Sequence, residues 1–251
     1  MQSYRITLKL LSPFATPLKG DTLFGQLCWA LRHRYGDDFL QNCLEGYTSG
    51  QPFAVVSDAF PLGYWPLPKL PGLFYRKIEQ EDRKAIKKRQ WLPHEALKQP
   101  LEQWLQLART DQQIASGPLT QWHPQSHNSI DRRTGTTGEG GFAPYSVQQQ
   151  WHRPDMLWDI TVLLDDSRLK AQQLEMAITD IGLFGYGKDA SIGAGKFTIV
   201  ECANIPLPAQ PHANACLTLA PSAPQELGFD PKASYYQTFT RFGRHGDLAR
   251  A

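Results

Sequence analysis

No stretch of this 251-residue chain approaches the ~18 consecutive apolar residues that a membrane-crossing helix needs. Cysteine is scarce as well. The four cysteines, at 28, 43, 202 and 216, show no CxxC spacing and read as reduced, mostly core-filling thiols of a cytosolic protein. Net charge is only +2, too little to declare a nucleic-acid partner by overall attraction. A triphosphate-binding loop is missing too. Before Gly195-Lys196 the first glycine of that motif is replaced by Ala190, and after it Phe197 stands where a hydroxyl belongs. The loop also runs from helix into strand, whereas a phosphate loop runs from strand into helix, whose N-terminus meets the phosphate. Hydrophobic residues make up 41% and charged ones 20%, which excludes a disordered chain and predicts a folded, soluble one.

What is present is a repeated layout. Tyr4, Ile6, Leu8 and Leu10 alternate with polar residues, which predicts a half-buried strand rather than a signal peptide. Leu23, Leu27, Ala30 and Leu31 then share one helical face, with Asp21 or Thr22 expected as N-cap and Gly36 as the stop. A short helix is expected over 38–44 and a short strand over 53–56. Five prolines between 52 and 73 exclude a regular central strand there. Residues 76–90 are expected to be helical, as is a segment presenting Leu101, Trp104, Leu105 and Ala108. Strand, helix and strand recur at 159–164, 172–184 and 197–202, and a late strand is expected at 235–242. The two stretches, 4–35 and 159–202, suggest two related α+β units, divided as 1–150 and 151–251.

Two segments are loaded with glycine. Residues 182–196 hold five, where a tight helix-to-strand connection needs one. Bare N–H groups at Gly187, Gly193 and Gly195, with Ser191, Lys188 and Lys196 nearby, suit approach to a phosphate or ribose chain. Residues 127–146, HNSIDRRTGTTGEGGFAPYS, form the other segment. It reads as a linker, or as a hairpin or loop that touches RNA. In the second reading Arg132 and Arg133 meet phosphates or bases, Thr134, Thr136 and Thr137 offer hydroxyls, and Gly135 bends the backbone. His123 and His127 find no third ligand, so no metal or cofactor is expected, and they read as surface or RNA-facing imidazoles. The segment 76–89, with seven basic and three acidic residues, is either a solvated helix face or a polyanion contact, and Trp91 beside it is either core or a stacking ring.

Three pieces combine into a resemblance. They are Lys19-Gly20-Asp21-Thr22-Leu23-Phe24-Gly25, the segment His127-Asn128-Ser129-Ile130-Asp131-Arg132 with Thr134 to Gly138, and the loop Gly185 to Phe197. Together they resemble the RAMP superfamily of CRISPR effector subunits, and within it the fourth-subunit family of the Csm (type III-A) complex. The second piece and Ser57 to Pro71 (SDAFPLGYWPLPKLP) are the more specific. The resemblance spans about residues 4–202. It implies an α+β fold of two ferredoxin-like (RRM-like) domains with inserted loops, the second lacking its last strand if the chain stops short. It implies a non-catalytic subunit that holds the 5′ repeat-derived tag of the guide RNA. Such a subunit bridges the large polymerase-like subunit to the backbone subunit and meets target RNA only indirectly, in the cytoplasm and away from membranes. The expected RNA contacts are Lys19, Gly20, Asp21 and Thr22, then His127, Asn128 and Arg132 to Thr137, then Gly187, Lys188, Ser191, Gly193, Gly195 and Lys196. Two rivals stay open. One is a metal-independent guide-processing ribonuclease of the same superfamily, using His33, His127 or His152. The other is a purely protein-binding scaffold.

Overall fold

Alternating side chains give β1 (Gln2–Leu10) one apolar face, and a 3.6-residue period gives α1 (Gly20–Tyr35) an apolar stripe to cover it. The computed structural model describes residues 1–77, 82–208, 211–223 and 228–240. After α1 come α2 (Asp37–Leu44), β2 (Ala54–Val56), β3 (Phe60–Pro61) and β4 (Tyr64–Pro66). Then follow α3 (Arg83–Lys87), β5 (Trp91–Pro93), α4 (Trp104–Leu107) and α5 (Asp111–Ala115). The chain continues through β6 (Thr120–His127), β7 (Tyr145–His152), β8 (Leu157–Leu164), α6 (Ala171–Phe184) and β9 (Phe197–Asn204).

The main sheet has the order β2-β8-β1-β9, every neighbour antiparallel, with β3 also on β8. Thus β1-α1-β2 and β8-α6-β9 interleave, each unit laying one strand between the two of the other. Together the two make one β-α-β-β-α-β unit of ferredoxin-like topology. It corrects the expected division at residue 150. Both stretches belong to a single sheet over a single core, and among the described residues after Asn204 there is no helix or strand from which to build a second such unit.

The core explains the interleaving. Ile6 and Leu8 of β1, Ile160 and Val162 of β8, Leu23 and Leu27 of α1, and Ala177 and Ile178 of α6 are all fully buried together. Each such Leu or Ile contributes roughly 1.5–3 kcal/mol over leaving it in water. The two helices are clipped by Arg34, whose Nε and Nη2 donate to Asp180 at 2.7 and 2.6 Å.

The segment between β2 and β8 is a large insertion with two parts. One is a lobe with its own small core of Leu67, Tyr75, Leu92, Ala96, Trp104 and Ala108, built around the β4-β5 pair. The other is the β6-β7 hairpin, paired from Thr120–His152 to His127–Tyr145. Helix appears at 83–87 rather than across 76–90, of which residues 78–81 lie outside the described residues. Seven lysines or arginines crowded into that segment repel along a helix and leave little apolar stripe to hold a longer one. The expected late strand is absent over 235–240, and 241–242 lie outside the described residues. Of the four free cysteines, Cys43 lies in the core, Cys28 and Cys202 pack against it half-buried, as expected of core-filling thiols, and Cys216 is exposed.

Candidate nucleic-acid interface

The start of α1 is the first expected contact, and the fold uses it internally. Lys19 is the N-cap but makes no side-chain cap bond. Neither Asp21 nor Thr22 occupies that position. The cap comes from Asp58, distant in sequence, whose carboxylate accepts from Gly20 N at 2.8 Å and from Lys19 Nζ at 2.6 Å. A carboxylate here satisfies an orphan N–H and complements the helix dipole. Gly20 is fixed by close approach, because a Cβ there would lie 2.2 Å from Val56 O. Asp21 turns its Oδ1 onto Thr22 N at 2.7 Å.

The glycine loop docks onto the turn that follows β1. Tyr186 is fully buried, its hydroxyl donating to Pro17 O at 2.9 Å and accepting from Lys19 N at 3.3 Å. Burial pushes its phenol well above the usual range. Gly195 N donates to Pro13 O at 2.8 Å, Lys188 N to Thr16 Oγ1 at 2.9 Å and Lys196 N to Ser12 Oγ at 2.8 Å. A Cβ at Gly195 would lie 2.2 Å from Tyr186 O, and one at Gly187 2.6 Å from Thr16. These two glycines therefore let protein approach protein. Lys196 Nζ donates to Leu183 O at the end of α6, so its charge serves a helix terminus. Gly193 differs: its φ is +97° and, among the described residues, nothing lies within 4 Å of where a Cβ would be. It is the open part of the loop, beside exposed Ser191 and Ile192.

The hairpin rises beside that loop. Its edge is tied to the same turn by Phe14 N to Gln150 O at 2.9 Å and Gln150 N to Phe14 O at 2.8 Å. Pro13 and Phe14 thus join the loop on one side and the hairpin on the other. Period-two alternation puts Trp151, Gln149, Gln125 and His127 on one hairpin face. Between this face and Ile192, Gly193 and Ala194 lies a cleft of about 290 Å³, bordered by Pro13. Its lining carries an indole, two amides, an imidazole and bare backbone, and no charged side chain. Trp151 is 46% exposed. The His127 ring stacks on Tyr145 with centroids 5.2 Å apart and planes at 20°, while its Nε2 is buried with no hydrogen-bond partner among the described residues.

The rest of 127–146 is the hairpin tip. Asp131 N donates to Thr136 O at 3.0 Å and Gly135 N to Asp131 O at 2.8 Å, closing a small turn. Thr134 and Thr136 hydroxyls lie 3.1 Å apart. Asn128, Arg132, Arg133 and Thr137 are exposed, and Arg133 reaches back only to Asp131 at 3.6 Å. Trp91, by contrast, is no free platform: it is half-buried, with Nε1 donating to Asp111 Oδ1 at 2.7 Å.

The structure therefore brings His127 and Gly193 together, and holds Lys19 to Thr22 behind the loop as its support. Trp151, Gln125, Gln149, Pro13 and Ile192 escaped sequence reasoning. Gln149 and Trp151 sit in the run QQQWH at 148–152, which carries almost no apolar residue to betray a strand.

No family model matches the sequence, and no curated protein does. Solved structures do match. A chain of the "Csm1-Csm4 cassette in complex with pppApA" aligns with TM-score 0.52 over 82% of this chain and 72% of its own, at 18% identity. A chain of the same cassette in complex with cA4 gives 0.51 at 18% identity over the same shares. A chain of the "Csm3-Csm4 subcomplex in the type III-A CRISPR-Cas interference complex" gives 0.51 at 17% identity, over 82% of this chain and 70% of that one. The chain shares the fold of these chains.

Proposed function

We propose that this chain is a non-catalytic guide-RNA-binding subunit of a type III-A CRISPR interference complex. In this reading it holds the 5′ repeat-derived tag, bridges the large polymerase-like subunit to the backbone subunit, meets target RNA only indirectly, and works in the cytoplasm. The observation that carries it is the cleft between hairpin and glycine loop. An exposed indole, an imidazole and two amides facing bare backbone suit a planar hydrogen-bonding group such as a nucleobase. The exposed arginines and hydroxyls of the tip suit the flanking phosphates and sugars. Matching folds in complexes of Csm4 with Csm1 and with Csm3 support a subunit with two protein interfaces.

The histidines favour this reading over a ribonuclease. His152 is held between the edges of Phe14 and Trp158, and burial lowers its pKa to about 4, so it stays neutral and enclosed at neutral pH. His33 sits near the far end of α1 from the glycine loop, against Trp29. His127 borders the cleft, but no carboxylate lines it to serve as the partner that general acid–base cleavage needs. The test is to purify the chain with its partner subunits and measure the ratio of absorbance at 260 and 280 nm, then to incubate it with repeat RNA. Copurifying RNA that stays uncut is expected. Cleavage abolished by His127→Ala would overturn the non-catalytic reading, and RNA-free assembled complex would favour the scaffold.

A further inference from the structure

The inserted lobe carries charge that neither the sheet nor the cleft uses. Residues 64–110 hold ten basic and five acidic residues, net +5 in a chain of net +2, so the remainder is net −3. The excess concentrates at α3, where Arg83, Lys84, Lys87 and the C-cap Lys88 are all exposed. Two pairs, Arg83 with Lys87 and Lys84 with Lys88, stand four residues apart, the spacing at which like charges work against a helix. None of the four has an ion-pair partner among the described residues. Nearby cations are treated differently. Arg76 is paired with Glu102 at 2.8 Å, and Arg89 Nη1 donates to Leu105 O and Gln106 O at 2.9 Å each. The lobe thus engages cations that hold it together and leaves the four of α3 outward.

The platform beneath them is fixed. Asp82 caps α3 by accepting from Lys84 N at 3.1 Å, and Ile86 is half-buried. Trp104 Nε1 donates to Gln99 O at 2.9 Å within the lobe core. Gln90 N and Trp91 N both donate to Arg109 O, at 3.0 and 3.1 Å.

We propose that α3 is a second nucleic-acid contact, a sequence-indifferent docking face for the phosphate backbone of a single RNA strand, separate from the cleft. Lysines act on phosphate as point charges, and lysine is depleted from protein–protein interfaces. No aromatic or large apolar side chain is exposed on α3 to anchor a protein partner. No ring is exposed there to stack on a base either, so binding here would ignore sequence and respond strongly to salt.

The test uses the full chain, a fluorescently labelled oligouridine and fluorescence anisotropy over a series of potassium chloride concentrations. Replacing Arg83, Lys84, Lys87 and Lys88 together with Gln is expected to weaken binding about tenfold or more at low salt. It is also expected to flatten the salt slope by about two to three units, since each phosphate contact on a single strand contributes ~0.7. A second variant, Arg83→Glu with Lys84→Glu, reverses charge where acids favour the helix N-terminus. It should bind worse while melting no lower, which separates lost contact from lost fold. Trp151→Ala should leave the oligouridine slope unchanged while weakening binding of guide-tag RNA. If only Trp151→Ala is silent, the cleft reading fails and this face stands. Wild-type slope and affinity in both charge variants, or no oligouridine binding by the wild-type chain, would overturn the proposal. So would charge variants that bind RNA normally but fail to join the protein subunits, which would assign the face to an acidic protein partner.

Discussion

The glycine loop and the hairpin face each other across one cleft, and they are held in opposite ways. The loop is locked from behind: buried Tyr186, the Pro13 and Thr16 hydrogen bonds and the Asp58 clamp on α1 leave little of it free to move. The hairpin is held at its base by Phe14 and Gln150 and by its own ladder, and from Asn128 to Tyr145 most of its side chains are exposed. A rigid wall opposite a sparsely packed arm suits a site that must admit a strand and then close on it. It also means that similar residues carry different loads. Glycine on the wall is structural at 187 and 195 and open at 193.

The largest effect tests that contrast directly. Gly195→Val should cost more than about 3 kcal/mol, because the new side chain meets Tyr186 backbone. Loss of soluble protein, or a melting temperature lowered by many degrees, is the expected result. Gly193→Val points into open space and should keep most of the stability, its positive φ costing about 1 kcal/mol, while weakening guide-RNA binding. Equal damage from both changes would erase the distinction between wall and opening. Next in size, Asp58→Ala should lower urea stability by about 2 kcal/mol, since it leaves Gly20 N–H buried without an acceptor. Lys19→Ala should cost less, its side chain being 39% exposed. On the arm the prediction reverses. Trp151→Ala should reduce guide-tag affinity about tenfold, as for a lost stacking platform, with little change in melting temperature.

The smallest effect is in pH. Burial lifts the Asp159 carboxyl to about 7, against lesser opposition from the Gly63 backbone and Arg5, so the folded state keeps a proton that the unfolded chain releases near pH 4. That contribution favours the fold at low pH and fades as pH rises from about 4 to 7. His152 acts in the other direction. With its folded pKa lowered to about 4, it destabilises the fold as pH falls from about 6.5 to 4. The wild-type stability profile over this range should therefore be shallow. Asp159→Asn should expose a rise in stability from pH 4 to 6.5 by chemical denaturation, whereas an unchanged profile would show that Asp159 titrates normally.

The helices and strands of the main sheet were legible because each carries its own period: Ile6, Leu8 and Leu10 for β1, Leu174, Ala177, Ile178 and Ile181 for α6. Their pairing was not, since nothing local in β1 says that β8 and β9 will flank it. The same repeat therefore suggested two domains where there is one sheet. The α1 cap was misplaced because its acceptor, Asp58, comes from a loop 38 residues away. Of the eight residues lining the cleft, His127 and Gly193 were foreseen, because histidine and glycine stand out in a sequence. Gln125, Gln149 and Trp151 sit on glutamine-rich strands that pair by backbone hydrogen bonds, with only Val147 and Gln149 of β7 buried.

The most direct test is ultraviolet cross-linking of the assembled complex carrying a guide RNA with a photoreactive uridine analogue in its 5′ tag, followed by mass spectrometry of this chain. The account predicts cross-links on Trp151 or His127 and on the peptide containing Ile192 to Ala194, lost when Gly193→Val is introduced. Cross-links confined to other surfaces, with none on the hairpin or the glycine loop, would contradict it.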